Sequence, residues 1–238
     1  MTAFSLKIIA IVSMLIDHAA VVFPDTFPFW FRGIGRLAWT IFAYLLADSF
    51  RYTKSPDKFL MRLFAFALIS EIPYDLAMGN SINFAANTNI FYTLFLGGTA
   101  ILLYERFKVK YGWQATSALG ALFPTVLLAE ILTADYGGMG VLFIFAMYAI
   151  KHKQLRLTAM GGFALFQFLP LIPAHILGID IRFEYLLAIP FAIATVPLVA
   201  MYNGKRGIQV KWLFYWAYPA HLAVLAVAAV TIGRFAGG

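Results

Sequence analysis

With 238 residues, 62% of them hydrophobic and 12% charged, and a mean hydropathy of +0.82, the chain is too apolar for a soluble globular domain and has the composition of an integral membrane protein. It contains no cysteine, which excludes disulfides, thiolate nucleophiles and cysteine metal sites together. The net charge of +7 follows membrane topology, as shown below, and a nucleic-acid partner is not expected, since that would need a basic patch on a fold outside the membrane.

A membrane span takes about 20 residues of helix, so the length admits one domain, 1–238, of eight or nine spans. Apolar stretches predict helices at 6–23, 34–50, 58–78, 90–105, 113–133, 138–150, 157–177, 185–202 and 210–232. The expected fold is therefore all-α, a polytopic transmembrane bundle of about nine spans. The first stretch carries charge inside it and lacks a small-residue cleavage site, so it reads as a retained helix and not a secretory signal. The sixth is short and flanked by glycine, which suits a tilted or partly re-entrant segment and keeps eight spans open.

Cytoplasmic loops accumulate Lys and Arg, and the bases alternate accordingly. Arg51, Lys54, Lys58 and Arg62 follow helix two; Arg106, Lys108 and Lys110 follow helix four; Lys151, Lys153 and Arg156 follow helix six; Lys205, Arg206 and Lys211 follow helix eight. With Lys7 these stand on one side, leaving Arg32, Arg36, Arg182 and Arg234 on the other. The amino terminus should be cytoplasmic. Most carboxylates, among them Asp17, Asp25, Glu71, Asp75, Glu130, Asp135, Asp180 and Glu184, fall toward the outer half.

Within the helices, chemistry-bearing residues begin at MLIDH, 14–18, where Asp17 and His18 interrupt an apolar run. A charge in hydrocarbon costs several kcal/mol, roughly 2.5 to 3.5 on insertion scales, so such residues face a protein interior or a wet cavity and are functional suspects. The competing reading is a pair of interhelical hydrogen bonds that fixes packing. Successive helical residues point about 100° apart, so each needs its own partner. Arg36, in GRLAWTIFAYLL, is the expected counter-ion of Asp17, leaving His18 to act as base or nucleophile near neutral pH.

Helix three carries Glu71 and Asp75 in RLFAFALISEIPYD, four apart on one face, with Pro73 expected to kink the helix between them. They suit a polar outer cavity or a proton relay; the structural alternative is a salt bridge to Arg32, Arg36 or Arg182. The amide-rich segment NSINFAANTN, 80–89, supplies Asn87 and Asn89 as hydrogen-bonding candidates, or is an ordinary polar loop. ADYGGMG, 134–140, forms a flexible turn that would border a substrate entrance. In the last helix Tyr215, Tyr218 and His221 recur at spacing three, either as a site lining or as an aromatic packing stripe, and His221 is the second candidate base. The four histidines show no metal-binding spacing, and there is no Walker loop, GxSxG elbow or GxGxxG fingerprint. No metal is expected.

The segments LKIIAIVSMLIDH, IGRLAWTIFAYLLADSFRYT, RLFAFALISEIPYD, NTNIFYTLFLG, DYGGMG and LFYWAYPAHL, taken in order, resemble the TraX family over nearly the whole chain. That resemblance implies a multi-pass protein of the bacterial cytoplasmic membrane that acetylates the amino terminus of a pilin-like protein, or another amine acceptor, using cytosolic acetyl-CoA as acyl-CoA donor. The placement of the residues agrees with that chemistry: His18, with Asp17 and Arg36, or alternatively His221, is expected to be catalytic. Glu71, Asp75, Asn87, Asn89, Tyr215 and Tyr218 would bind the acceptor, and Lys108, Lys151, Lys205 and Arg206 would meet the phosphates of the donor. The lipid bilayer is the remaining expected partner. A proton-coupled transporter and a non-catalytic pilus assembly protein are the rival classes; no paired broken helices or repeated halves favour the first.

Overall fold

The computed structural model describes residues 1–79, 82, 87–112, 114–166 and 188–232. Among the described residues it has nine α-helices and no strand, in the predicted order. These are α1 (Ala3–Val22), α2 (Trp30–Phe50), α3 (Pro56–Met78), α4 (Ile90–Tyr111), α5 (Gln114–Ile131), α6 (Gly137–Ala149), α7 (Lys153–Phe166), α8 (Ala188–Ala200) and α9 (Lys211–Thr231). Four of them, α1, α4, α5 and α9, are long and apolar enough to cross a membrane. Helix α6, at 13 residues, is as short as its glycine flanks led one to expect. Asp180, Arg182, Glu184, His175 and Arg234, and most of 80–86, lie outside the described residues.

Hydroxyl groups inside these apolar helices close on their own backbone: Ser13 donates to the Ile9 carbonyl (2.8 Å), Ser49 to Leu45 (2.7 Å), Thr99 to Phe95 (2.8 Å) and Thr125 to Ala121 (2.8 Å). The i−4 bond satisfies a donor that would otherwise be orphaned in an apolar medium.

The chain sorts into two compact units. The first takes Met1–Phe42, His152–Ala217 and the segment from Ala228; the second takes Ala43–Lys151 and Tyr218–Val227. In the second unit α4 is the central helix, packing on α3, α5 and α6. Two glycines allow this. A Cβ at Gly97 would stand 2.5 Å from Ile144 of α6, and one at Gly98 would stand 2.7 Å from Leu60 of α3. Around them Phe64 packs on Phe95 (centroids 5.1 Å apart), Phe66 on Phe91 (6.1 Å) and Tyr104 on Phe145 (5.2 Å).

At one end of the second unit the predicted basic loops meet. Arg51 donates through Nη2 to the carbonyls of Tyr148 (2.7 Å), Met147 (3.3 Å) and Ile150 (3.3 Å), which closes the carboxyl end of α6. Tyr148 donates to Glu105 of α4 (3.0 Å), and Arg106 pairs with Asp57 in the first turn of α3 (2.6 Å). The loops after helices two, four and six thus share one end, the arrangement their charge predicts.

In the first unit the amino terminus lies along the α8–α9 loop. Ala3 N–H donates to the Lys205 carbonyl (2.9 Å), Phe4 N–H to that of Arg206 (3.0 Å), and Asn203 N–H to that of Met1 (2.9 Å). Gly207 has φ of +71°, and a Cβ there would stand 2.6 Å from the Thr2 hydroxyl, so the loop needs glycine twice over. Lys153 at the start of α7 donates to the Ala200 carbonyl at the end of α8 (2.9 Å).

Candidate functional site

Two polar clusters occupy the helices, one in each unit. In the first unit Asp17 is ion-paired with Arg32, Oδ1 to Nε at 3.2 Å. The sequence pointed to Arg36 as the counter-ion; the structure adds Arg32 in direct ion-pair contact. Helix α2 starts at Trp30 and not at 34, with the Phe31 and Arg32 amides already bonded to the carbonyls of Pro28 (3.0 Å) and Phe29 (2.9 Å), so Arg32 lies in the first helical turn. Arg36, one turn on, still acts on the Asp17 carboxylate electrostatically. The pair depends on a close helix approach, because a Cβ at Gly35 would overlap the Asp17 side chain. Gly33 makes a similar approach to Phe191 of α8, where a Cβ would stand 2.6 Å from the ring. His18 is half-buried beside this pair in sequence, on the neighbouring face of α1.

In the second unit Glu71 is fully buried in α3 and is held by Asn89. Its Oε2 accepts from the Asn89 side-chain amide and from the Asn89 backbone N–H (3.3 Å). The same side chain donates to the Ala67 carbonyl (2.8 Å) and accepts, through Oδ1, from Phe91 N–H (3.0 Å) as the N-cap of α4. Both amide hydrogens of Asn89 are therefore engaged within the fold, and the residue holds α3 to α4. Among the described residues the hydrogen-bond partner of Glu71 is Asn89; of the arginines considered for a salt bridge, Arg182 lies outside them. Its other oxygen, Oε1, is buried and has no hydrogen-bond partner among the described residues. Asp75, one turn on, is also buried, and α3 runs through Pro73 as a single helix.

The glycine-rich turn is built and tied down. Asp135 N–H donates to the Thr88 carbonyl (3.0 Å), Thr93 Oγ1 donates to the Asp135 carbonyl, and Asn87 N–H donates to Thr133 Oγ1. Asn87, Thr133 and Tyr136 all have positive φ. Glu130 accepts from Gly138 N–H (2.7 Å) and so places a carboxylate at the amino end of α6. Asn87 is exposed and Oδ1 lies 3.4 Å from the Thr133 hydroxyl, so it serves this turn.

Of the predicted tyrosine and histidine stripe, Tyr215 is buried in the first unit and packs on Trp212 (6.0 Å). Tyr218 and His221 belong to the second unit; the Tyr218 ring meets Phe91 edge-on (5.4 Å, 85°) and His221 (5.6 Å, 69°). The packing reading describes the tyrosine rings. His221 is half-buried beside Tyr218. Lys108 lies over the Tyr104 ring (5.7 Å) in the last turn of α4, Lys151 is exposed after α6, and both belong to the second unit. Lys205 and Arg206 are exposed in the first. The structure thus brings together Asp17 with Arg32, Glu71 with Asn89, and Lys205 with Arg206. Sequence reasoning missed the roles of Gly35, Arg51 and Glu130; the GIGR run was the signal for the first, and the other two are bonds to backbone that no spacing announces. Among the described residues no group of three His, Asp or Glu side chains is arranged to hold a metal.

Comparison with known proteins adds the lineage. A 28% identical relative from Dichelobacter nodosus, described as "Probable fimbrial assembly protein FimC, serogroup H1", aligns over 95% of this chain and 95% of its own. No solved structure matches. The family described as TraX protein matches residues 3–229. With that match running almost end to end through helices α1 to α9, the chain belongs to the TraX family.

Proposed function

We propose that this protein is a membrane-embedded acetyltransferase that moves an acetyl group from cytosolic acetyl-CoA to an amine at the outer side of the bacterial cytoplasmic membrane, the acceptor being the amino terminus of a pilin-like protein. In this reading the chain crosses the membrane about nine times with its amino terminus in the cytoplasm. The observation that carries the proposal is the Asp17–Arg32 ion pair inside an apolar helix, one residue from half-buried His18. A charge within an apolar helix is costly, and residues that keep one there mark functional sites by default.

The chemistry is direct. A base takes a proton from the acceptor ammonium, and the free amine attacks the thioester carbonyl. The C–N bond forms as the C–S bond breaks, and the proton that the nitrogen gives up goes to the departing CoA thiolate. His18 is the first candidate base and His221 the second, with Asp17, Arg32 and Arg36 setting the local electrostatics. Within the second unit Glu71 and Asp75 would hold the acceptor ammonium where His221 is the base, and the bases of the loops, Lys108 and Lys151 in that unit or Lys205 and Arg206 in the first, would meet the donor phosphates.

The test is transfer from labelled acetyl-CoA by the purified protein in detergent, with and without a peptide amine, beside His18→Ala and His221→Ala. Label on the peptide that is lost in one variant supports the reading and names the base. Absence of transfer by folded protein with every acceptor overturns it. A second reading, a non-catalytic pilus assembly protein, is favoured by the printed description of the Dichelobacter nodosus relative. It predicts co-purification of a pilin without acetyl transfer.

A further inference from the structure

Several cations of the second unit lie where helices end: Arg51 closes the carbonyls of α6, Lys108 and Lys110 stand in the last turn of α4, and Arg106 pairs with Asp57. Positive charge at a helix carboxyl end is stabilised by the helix dipole. The first unit has the reverse arrangement at the end formed by the amino terminus and the α8–α9 loop. There α1 and α9 begin, neither with an acidic residue in its first turn, and Lys211 is itself the first residue of α9. The loop bearing Lys205 and Arg206 is bonded to the first turn of α1.

Among the described residues four cations at this end have no carboxylate partner. Lys153 is satisfied by the carboxyl end of α8. Lys7, by contrast, lies over the Phe214 ring (4.7 Å) with Arg206 near enough to repel it, and Phe4 closes on the same ring (6.1 Å). Lys211 lies over the Trp212 ring (5.2 Å). Among the described residues no carboxylate pairs with the side chains of Lys7, Lys205, Arg206 or Lys211. Like charges gathered at helix amino ends destabilise a fold unless an anion joins them. The first-turn amides of α1 are already engaged, at Ala3, Phe4 and Ser5, so the side chains are what remains to bind it.

We infer that Lys7, Lys205, Arg206 and Lys211 form a phosphate-binding site of the first unit. Its ligand carries at least two phosphate charges: either the diphosphate and ribose phosphate of an acyl-CoA, or the headgroups of anionic lipid. The first source rests on the proposed acetyl transfer and narrows its donor contacts to one unit, setting Lys108 and Lys151 aside; the second does not rest on it. Trp212 and Phe214 offer ring faces beside the cations.

The test uses the full-length protein in nanodiscs of pure phosphatidylcholine and in discs containing phosphatidylglycerol. Binding of acetyl-CoA and of inorganic pyrophosphate is measured by equilibrium dialysis, and thermal stability is followed in each lipid. The variants are Lys205→Gln/Arg206→Gln, its charge-preserving counterpart Lys205→Arg/Arg206→Lys, and Lys54→Gln/Lys58→Gln as a charge-matched pair in the other unit. The nucleotide source predicts saltable binding in neutral discs that falls at least tenfold in the first variant and is retained in the other two. The lipid source predicts no such binding but a stabilisation by phosphatidylglycerol with the same dependence on the variants. Binding or stabilisation that is absent, or that drops equally in both glutamine pairs, overturns the site. Acetyl-CoA binding without transfer would keep the site while removing the acetyltransferase reading, so the two fail separately.

Discussion

At the scale of single residues, the candidate site rests on contacts that tolerate little change. Gly35 admits the Asp17 side chain, and a methyl group there overlaps it. Gly35→Ala is expected to displace Asp17, weaken its bond to Arg32 and destabilise the protein by about 1–3 kcal/mol, the usual cost of overpacking; thermal unfolding in detergent measures this. If Asp17 sets the electrostatics of transfer, activity should fall further than stability. Glu71 separates two roles. Glu71→Gln keeps an acceptor for Asn89 and should fold normally, whereas Glu71→Ala leaves the buried Asn89 amide unsatisfied and should cost about 1–3 kcal/mol. Loss of acetyl transfer in the folded Glu71→Gln variant would show that its charge is used; full activity would make Glu71 a clasp alone.

At the scale of helices, the ends and the crossings decide stability. Arg51 holds the carboxyl end of α6 through three carbonyls. Replacing it with Ala removes a charged donor and should lower stability by about 1.5 to 3 kcal/mol, with Arg51→Lys recovering part; unfolding midpoints of the three proteins test this. Gly97 lets α4 approach α6 at Ile144, so Gly97→Val should destabilise, and Ile144→Ala in the same chain should relieve part of the loss. The positions of these helices were legible from apolar runs alone, including the shortness of α6. Their ends were not. Helix α2 begins four residues earlier than its apolar run, because the amides of Phe31 and Arg32 find carbonyls in the preceding turn, and that extension brings Arg32 to Asp17.

At the scale of the whole molecule, the alternation of basic loops makes a direct topological prediction. The chain has no cysteine, so single cysteines report position cleanly. Cysteine placed at exposed Asp25 or Asp135 should react with a membrane-impermeant maleimide on intact cells, and cysteine at Lys54 or Lys151 only after lysis. Labelling of all four on intact cells would overturn the orientation.

The sequence by itself determined the all-helical fold class, the order of the helices and the gathering of basic loops, because hydrophobic length and charge asymmetry are summed over many residues and survive local exceptions. The tertiary structure alone decided the partners: Arg32 for Asp17, Asn89 for Glu71, the α6 carbonyls for Arg51. Each of these depends on which helix lies within about 3 Å of which side chain, a property of packing that linear spacing does not carry. The same reason separates the bases. All of them read alike in the sequence, and only the fold shows that Arg51, Lys108 and Lys110 stand at helix carboxyl ends, which welcome positive charge, while Lys7, Lys205, Arg206 and Lys211 gather where helices begin.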